Sequence, residues 1–133
     1  MLTTELTMLA YAVALLMVLV FVQANAGIRA KGLMPLANNR DGLTPADGFH
    51  ARMLRVVDNH REGLTMFAPV VLAAGLAGVH NHWTVLGAQL FFWSRLVHAV
   101  VYIIGLPLIR PLFWAIGLAG TVMVLLALLG LIH

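Results

Sequence analysis

RVVDNHREGLTMFAPVVLAAGLAGV, residues 55–79, carries five ionisable side chains in its first eight positions (Arg55, Asp58, His60, Arg61 and Glu62) and none afterwards. Its apolar part, from Gly63 to Val79, approaches the ~20 helical residues that cross a ~30 Å hydrocarbon core. The whole chain explains why such a segment is present. Of its 133 residues 62% are hydrophobic and only 10% charged, and the mean hydropathy is +0.96. A soluble domain of this length needs more polar residues than that to cover its surface. The composition indicates an integral membrane protein.

Three more apolar stretches match this one: Leu6 to Val22, Trp83 to about Ile104, and Leu112 to Ile132. They predict an all-α fold, a single four-transmembrane-helix domain with antiparallel neighbours. The helices are expected over about 4–28, 52–79, 83–105 and 111–132, with one long loop over about 29–51. Pro107 and Pro111 punctuate the last turn, and Pro69 falls inside the second span, where membrane helices tolerate it. The segment QANAG, residues 23–27, resembles a signal-peptide cleavage site. The start MLTTE has no Lys or Arg, however, and Arg29 and Lys31 follow the apolar run, a pattern that predicts a retained first helix.

The charges also set the orientation. Arg29, Lys31, Arg40, Arg52, Arg55 and Arg61 flank the long loop and Arg110 lies in the last turn, while the other turn and both termini have no Lys or Arg. The positive-inside rule then places the long loop and the last turn in the cytoplasm and both termini outside. The basic balance does not indicate a nucleic-acid partner, because the cations are not clustered with stacking aromatics. With no cysteine, disulfides, thiolate metal sites and a cysteine nucleophile are excluded. His80 and His82 lack a third ligand and are taken as turn residues, so no metal is expected.

Helical spacing sorts the remaining polar residues. Arg55, Asn59 and Glu62 lie at i, i+4, i+7 on one face of the second span, and Arg95, His98 and Tyr102 lie at i, i+3, i+7 on one face of the third. Arg95 sits roughly 13 Å inside the cytoplasmic end of its helix, where a lone cation costs at least ~2.5–3.5 kcal/mol and calls for a partner. Antiparallel neighbours put Arg95 level with Glu62, His98 with Asn59, and Tyr102 with Arg55. The expectation is a buried Glu62–Arg95 ion pair below a polar ladder. Two uses compete for such a ladder. It can be interhelical glue, or it can be a binding site, since its donors outnumber what one carboxylate satisfies and so suit an anionic guest.

RVVDNHREGLTMFAPVVLA (residues 55–73) and SRLVHAVVYIIGLPLIRPLFWAIG (residues 94–117) together resemble the membrane-associated proteins in eicosanoid and glutathione metabolism, the MAPEG family, and most closely its bacterial-type, microsomal glutathione transferase-like members. The likeness spans essentially the whole chain and includes Arg-x3-Asn-x2-Glu, Arg-x2-His-x3-Tyr and the arginine that follows Gly-Leu-Pro. It implies a homotrimer in a bacterial inner membrane that binds glutathione between subunits near the cytoplasmic face. By motif, Arg55, Asn59, Glu62, His98 and Tyr102 would bind glutathione, with Arg95 bracing Glu62. Arg110 would stabilise the thiolate, with Tyr102 as second catalytic candidate, and Arg29 is a looser match to an arginine that grips a glutathione carboxylate. Asp58 and Pro111 depart from the prostaglandin-synthase pattern, as does the shorter spacing from Tyr102 to Arg110. The implied activity is conjugation of glutathione to lipophilic electrophiles, with peroxidase action on lipid hydroperoxides as a second activity the resemblance implies. The rival reading is a non-catalytic lipid-binding scaffold of the same fold. A small transporter is a weaker third, because one satisfied ion pair without an unwound helix is poor evidence for it.

Overall fold

Thr3 opens the first helix, its hydroxyl accepting the Leu6 N–H at 3.4 Å, one of the donors that any helix start leaves unsatisfied. The computed structural model describes residues 2–106 and 108–133. Helix α1 runs Thr4–Lys31, a short α2 follows at Leu33–Ala37, and then come α3 at Gly48–Leu76, α4 at His82–Ile104 and α5 at Arg110–Leu128. There is no strand among the described residues. Pro107, expected to punctuate the last turn, lies outside them.

The long loop is shorter than expected at both ends. α1 reaches Lys31 because Arg29 and Lys31 in its last turn favour the negative end of the helix dipole. α3 begins at Gly48 after an extended Asp47. α4 starts on a reciprocal cap, in which the Asn81 side chain accepts the Thr84 N–H and Thr84 Oγ1 accepts the Asn81 N–H, both at 3.0 Å. It ends at Gly105, whose φ of 90° only glycine adopts cheaply.

α1, α4 and α5 are each long and apolar enough to cross a membrane. α3 is as long as α1, but Arg52, Arg55, Asp58, Arg61 and Glu62 keep its first half more polar than the others. The long helices pack on one another, α4 on α5 and α1 on α3 most extensively. Between apolar helices in lipid, close packing holds the assembly together, and small residues permit it here. Gly87 of α4 and Gly120 of α5 meet so closely that a Cβ on either would lie 2.5–2.6 Å from the other's carbonyl oxygen. Beside this crossing Phe67 and Phe91 stack at 3.9 Å within a buried cluster that includes Leu9, Ala12, Leu64, Val71 and Val124. A second cluster of Leu19, Met53, Val56, Val57 and Ala99 holds α1, α3 and α4 together toward the Arg55 end. Large apolar side chains such as Met17, Phe21, Leu76 and Leu108 are left facing outward, as suits a lipid solvent.

A cationic cleft between helices three, four and five

The helical period divides the opening stretch between two environments. Val56, Val57, His60, Gly63 and Leu64 point inward, Asn59 is half-buried, and Arg55, Asp58, Arg61 and Glu62 are exposed. Asp58 and Arg61 pair with each other at 2.6 Å on the outside, an exposed contact worth at most about 1 kcal/mol. His60 does not share that surface. Its ring is buried, and Nε2–H donates to the Ala12 carbonyl at 2.9 Å, tying α3 to α1.

Arg95 is 1% exposed, the largest fully buried side chain among the described residues. Its Nη1 donates to Asn59 Oδ1 at 2.6 Å, and its Cζ lies 5.5 Å from the Phe91 ring centroid. Two glycines make room for it. A Cβ on Gly63 would collide with the guanidinium, and one on Gly117 would stand 3.2 Å from Nε. The expected Glu62–Arg95 ion pair is not made within the chain, and Glu62 acts on Arg95 only at longer range. The depth was suitable but the side of the helix was not. Residues 62 and 63 point about 100° apart on a 3.6-residue helix, and it is the Gly63 side that faces α4. Arg95 therefore crosses Gly63 and reaches Asn59, one turn along the same face. Its Nε, fully buried, finds no partner among the described residues.

Nearer the end of α4 the expected register holds. Arg55 Nε donates to the Tyr102 hydroxyl at 3.1 Å. The Tyr102 ring stands edge-on to His98 at 5.7 Å, and the Arg110 guanidinium lies 4.4 Å over that ring, within the range of a cation–π contact. Asn59, His98, Tyr102, Arg110, Pro111 and Trp114 line a concavity of about 320 Å³. Two arginines thus hold one phenol, at the mouth of a cleft with an amide and an imidazole in its wall.

Arg29 is not part of this group. It lines a separate cavity of about 560 Å³ between the end of α1 and the start of α3, with Phe21, Asn25, Phe49 and His50 among its walls. Two features escaped the sequence reading. Trp114 lies four residues after Arg110 and hence on the same face of α5, a spacing that could have flagged it. Glu5 is 4% exposed and joins the opposite end of the molecule, where Thr84 Oγ1 donates to Glu5 Oε1 at 2.5 Å and His80 Nδ1 lies 3.5 Å from the same oxygen. No local pattern in the sequence links residues 5 and 84.

Fold and site together define a helical membrane protein whose apolar spans carry an arginine-rich cleft at one end. The profile of the MAPEG family matches residues 6–130, nearly the whole chain, and the chain belongs to that family. No curated protein and no solved structure gives a significant match.

Proposed function

We propose that the protein is a membrane-bound glutathione transferase that conjugates glutathione to lipophilic electrophiles, with lipid hydroperoxides as a second substrate class. The observation that carries this reading is Tyr102 held between Arg55 and Arg110. Because the phenol oxygen accepts from Arg55, its own proton is left to donate into the cleft. A thiolate there would meet that hydroxyl and the Arg110 guanidinium together. A cysteine-type thiol has a pKa near 8.5 and reacts as the thiolate, so nearby positive charge raises the reactive fraction at neutral pH. The protein then supplies position and electrostatics and needs no covalent nucleophile.

Glutathione has two carboxylates and an amine. Asn59, His98, Arg55 and the outward-facing Glu62 offer complementary groups on the α3–α4 side. Arg29 lines a different cavity of the same chain, so a tripeptide gripped by Arg29 as well as by the Tyr102 cleft must lie between two copies. This supports intersubunit sites, and membership of the MAPEG family supports a homotrimer as the assembly that forms them. In this reading Glu62 completes its contacts with the ligand or a neighbouring subunit rather than with Arg95. The charge asymmetry supports an orientation with the termini outside and the cleft near the cytoplasmic face, and the likeness to bacterial-type members supports a bacterial inner membrane as the location.

The test uses detergent-solubilised protein. Glutathione is added and the ultraviolet absorbance of bound thiolate followed, and then a chloronitrobenzene is supplied and conjugate measured. Thiolate formation followed by turnover supports the transferase. An intact oligomer that yields neither sinks it and favours the lipid-binding scaffold. An apolar cavity of about 340 Å³ between α4 and α5, lined by Leu86, Leu90, Trp93, Val97, Phe113 and Ile116 among others, is the observation that keeps the scaffold in play.

A further inference from the structure

Each of the three tryptophans has a different environment. The Trp83 indole N–H donates to the His133 carbonyl at 2.9 Å, and its ring meets His82 edge-on at 5.6 Å. Trp93 pairs edge-on with Phe92 at 5.1 Å and is 57% exposed on the outer face. Trp114 is half-buried in the wall of the cleft, with neither a ring partner nor a hydrogen bond among the described residues. A buried or half-buried indole usually engages another ring or satisfies its N–H.

Its position gives this vacancy a use. Trp114 lies four residues after Arg110, hence one turn further along α5 and about 6 Å deeper into the spanning part of that helix. A lipophilic molecule that enters from the hydrocarbon side meets the indole before it meets the guanidinium. Arg110 and Tyr102 stand at the polar end of the same concavity, and Pro111 adds an apolar edge.

We infer that Trp114 is the wall on which the second substrate lies, and that the site favours planar, conjugated electrophiles over aliphatic ones. The inference rests on the transferase reading and specifies its substrate class. For a halonitroarene the step balances simply. The thiol proton leaves to solvent, the thiolate sulfur bonds to the ring carbon, and the carbon–halogen bond then breaks to release halide. Negative charge passes through the ring and its nitro groups during addition, next to the Arg110 guanidinium, while the indole face holds the ring in plane. Offset stacking of this kind supplies selectivity of about three- to tenfold.

The experiment has two arms on the full-length protein in detergent. In the first, Trp114→Leu and Trp114→Phe are compared with the parent at saturating glutathione, using chlorodinitrobenzene and an aliphatic α,β-unsaturated aldehyde. The leucine variant should lose about three- to tenfold in kcat/KM for the arene and less than twofold for the aldehyde, with thiolate absorbance unchanged. The phenylalanine variant should retain most of the arene activity. Equal losses on both electrophiles, or none on the arene, overturn the inference. The second arm uses a Trp83→Phe/Trp93→Phe background, in which Trp114 is the sole tryptophan, and titrates 1,3-dinitrobenzene, which lacks a leaving group, without glutathione. Saturable quenching supports the aromatic wall, and quenching that only rises linearly overturns it. Thiolate formation without saturable quenching defeats this inference and leaves the transferase standing, whereas saturable quenching without thiolate defeats the transferase, and this inference with it, and leaves only an aromatic-binding cleft.

Discussion

Replacing Arg110 by alanine removes the guanidinium that stands 4.4 Å over the Tyr102 ring and borders the cleft. A thiolate bound in that cleft would lie at a similar distance. Two unit charges ~4 Å apart interact by about 4 kcal/mol at an effective dielectric constant near 20, equivalent to about three pKa units. This is an upper figure, because water entering the truncated site would screen part of it. Loss of one preorganised electrostatic contact typically costs about 10²–10³ in kcat, and a fall in that range is expected here. In the proposed reading the glutathione carboxylates bind elsewhere, so the concentration needed for half-saturation should rise much less, about threefold or under. The sign of the pH effect follows from the same charge. The parent should form thiolate at neutral pH. In Arg110→Ala the pH dependence of thiolate absorbance and of kcat should move upward by about two units, and the deficit should shrink as the medium becomes more alkaline. Arg110→Lys should recover part of the loss. Stopped-flow absorbance with glutathione alone separates binding from ionisation. The reasoning fails if Arg110→Ala loses binding and turnover in equal measure, or if its pH profile does not move.

Other substitutions test the supporting structure. Asn59→Ala leaves the buried Arg95 without its 2.6 Å partner and should destabilise the protein by about 1–3 kcal/mol; a Tm equal to the parent's would contradict the assigned contact. Glu62→Gln, by contrast, changes an exposed residue outside that contact and should shift stability by no more than about 0.5 kcal/mol while weakening glutathione binding. A collapse of folding on Glu62→Gln would restore the direct ion pair. Gly117→Ala pushes a methyl against Ser94 and Arg95 and should cost about 1–3 kcal/mol by overpacking, read as a lower detergent melting temperature. Thr84→Val removes the hydroxyl that Glu5 accepts and should also cost about 1–3 kcal/mol, whereas Thr84→Ser should be close to neutral.

The sequence disclosed depth more reliably than direction. Apolar length located the helices, and antiparallel numbering brought Arg55 to Tyr102, because both depend on rise along an axis. Which neighbour a side chain meets depends also on how each helix is rotated, and that is decided by packing. The small surface at Gly63, not the carboxylate beside it, determines where the Arg95 guanidinium lies. His60 is hard to place from sequence for a related reason: an imidazole next to Asp58 and Arg61 looks like headgroup chemistry until the inward face of α3 is known. Arg29 and Arg110 share a charge and an expected ligand, but one chain does not bring them together. Glu5 and Thr84 are joined by no periodicity at all. Trp114 was legible from its i+4 relation to Arg110 and went unused because apolar aromatics on a span are usually packing.

The Glu5–Thr84 bond bears on chemistry performed far from it. Thr84 lies near one end of α4 and Tyr102 near the other, 18 residues apart and therefore roughly 27 Å along the axis. With that bond as fulcrum, the groups proposed to react stand at the long arm of α4, where the packing on α5 and the Arg55–Tyr102 contact also hold them. A tilt of about 2° at the fulcrum carries Tyr102 through roughly 1 Å, and a displacement of that size in a catalytic group can cost ~10² in rate. In the proposed reading, a hydroxyl and a carboxylate remote from the cleft therefore help to set the aim of the Tyr102 phenol.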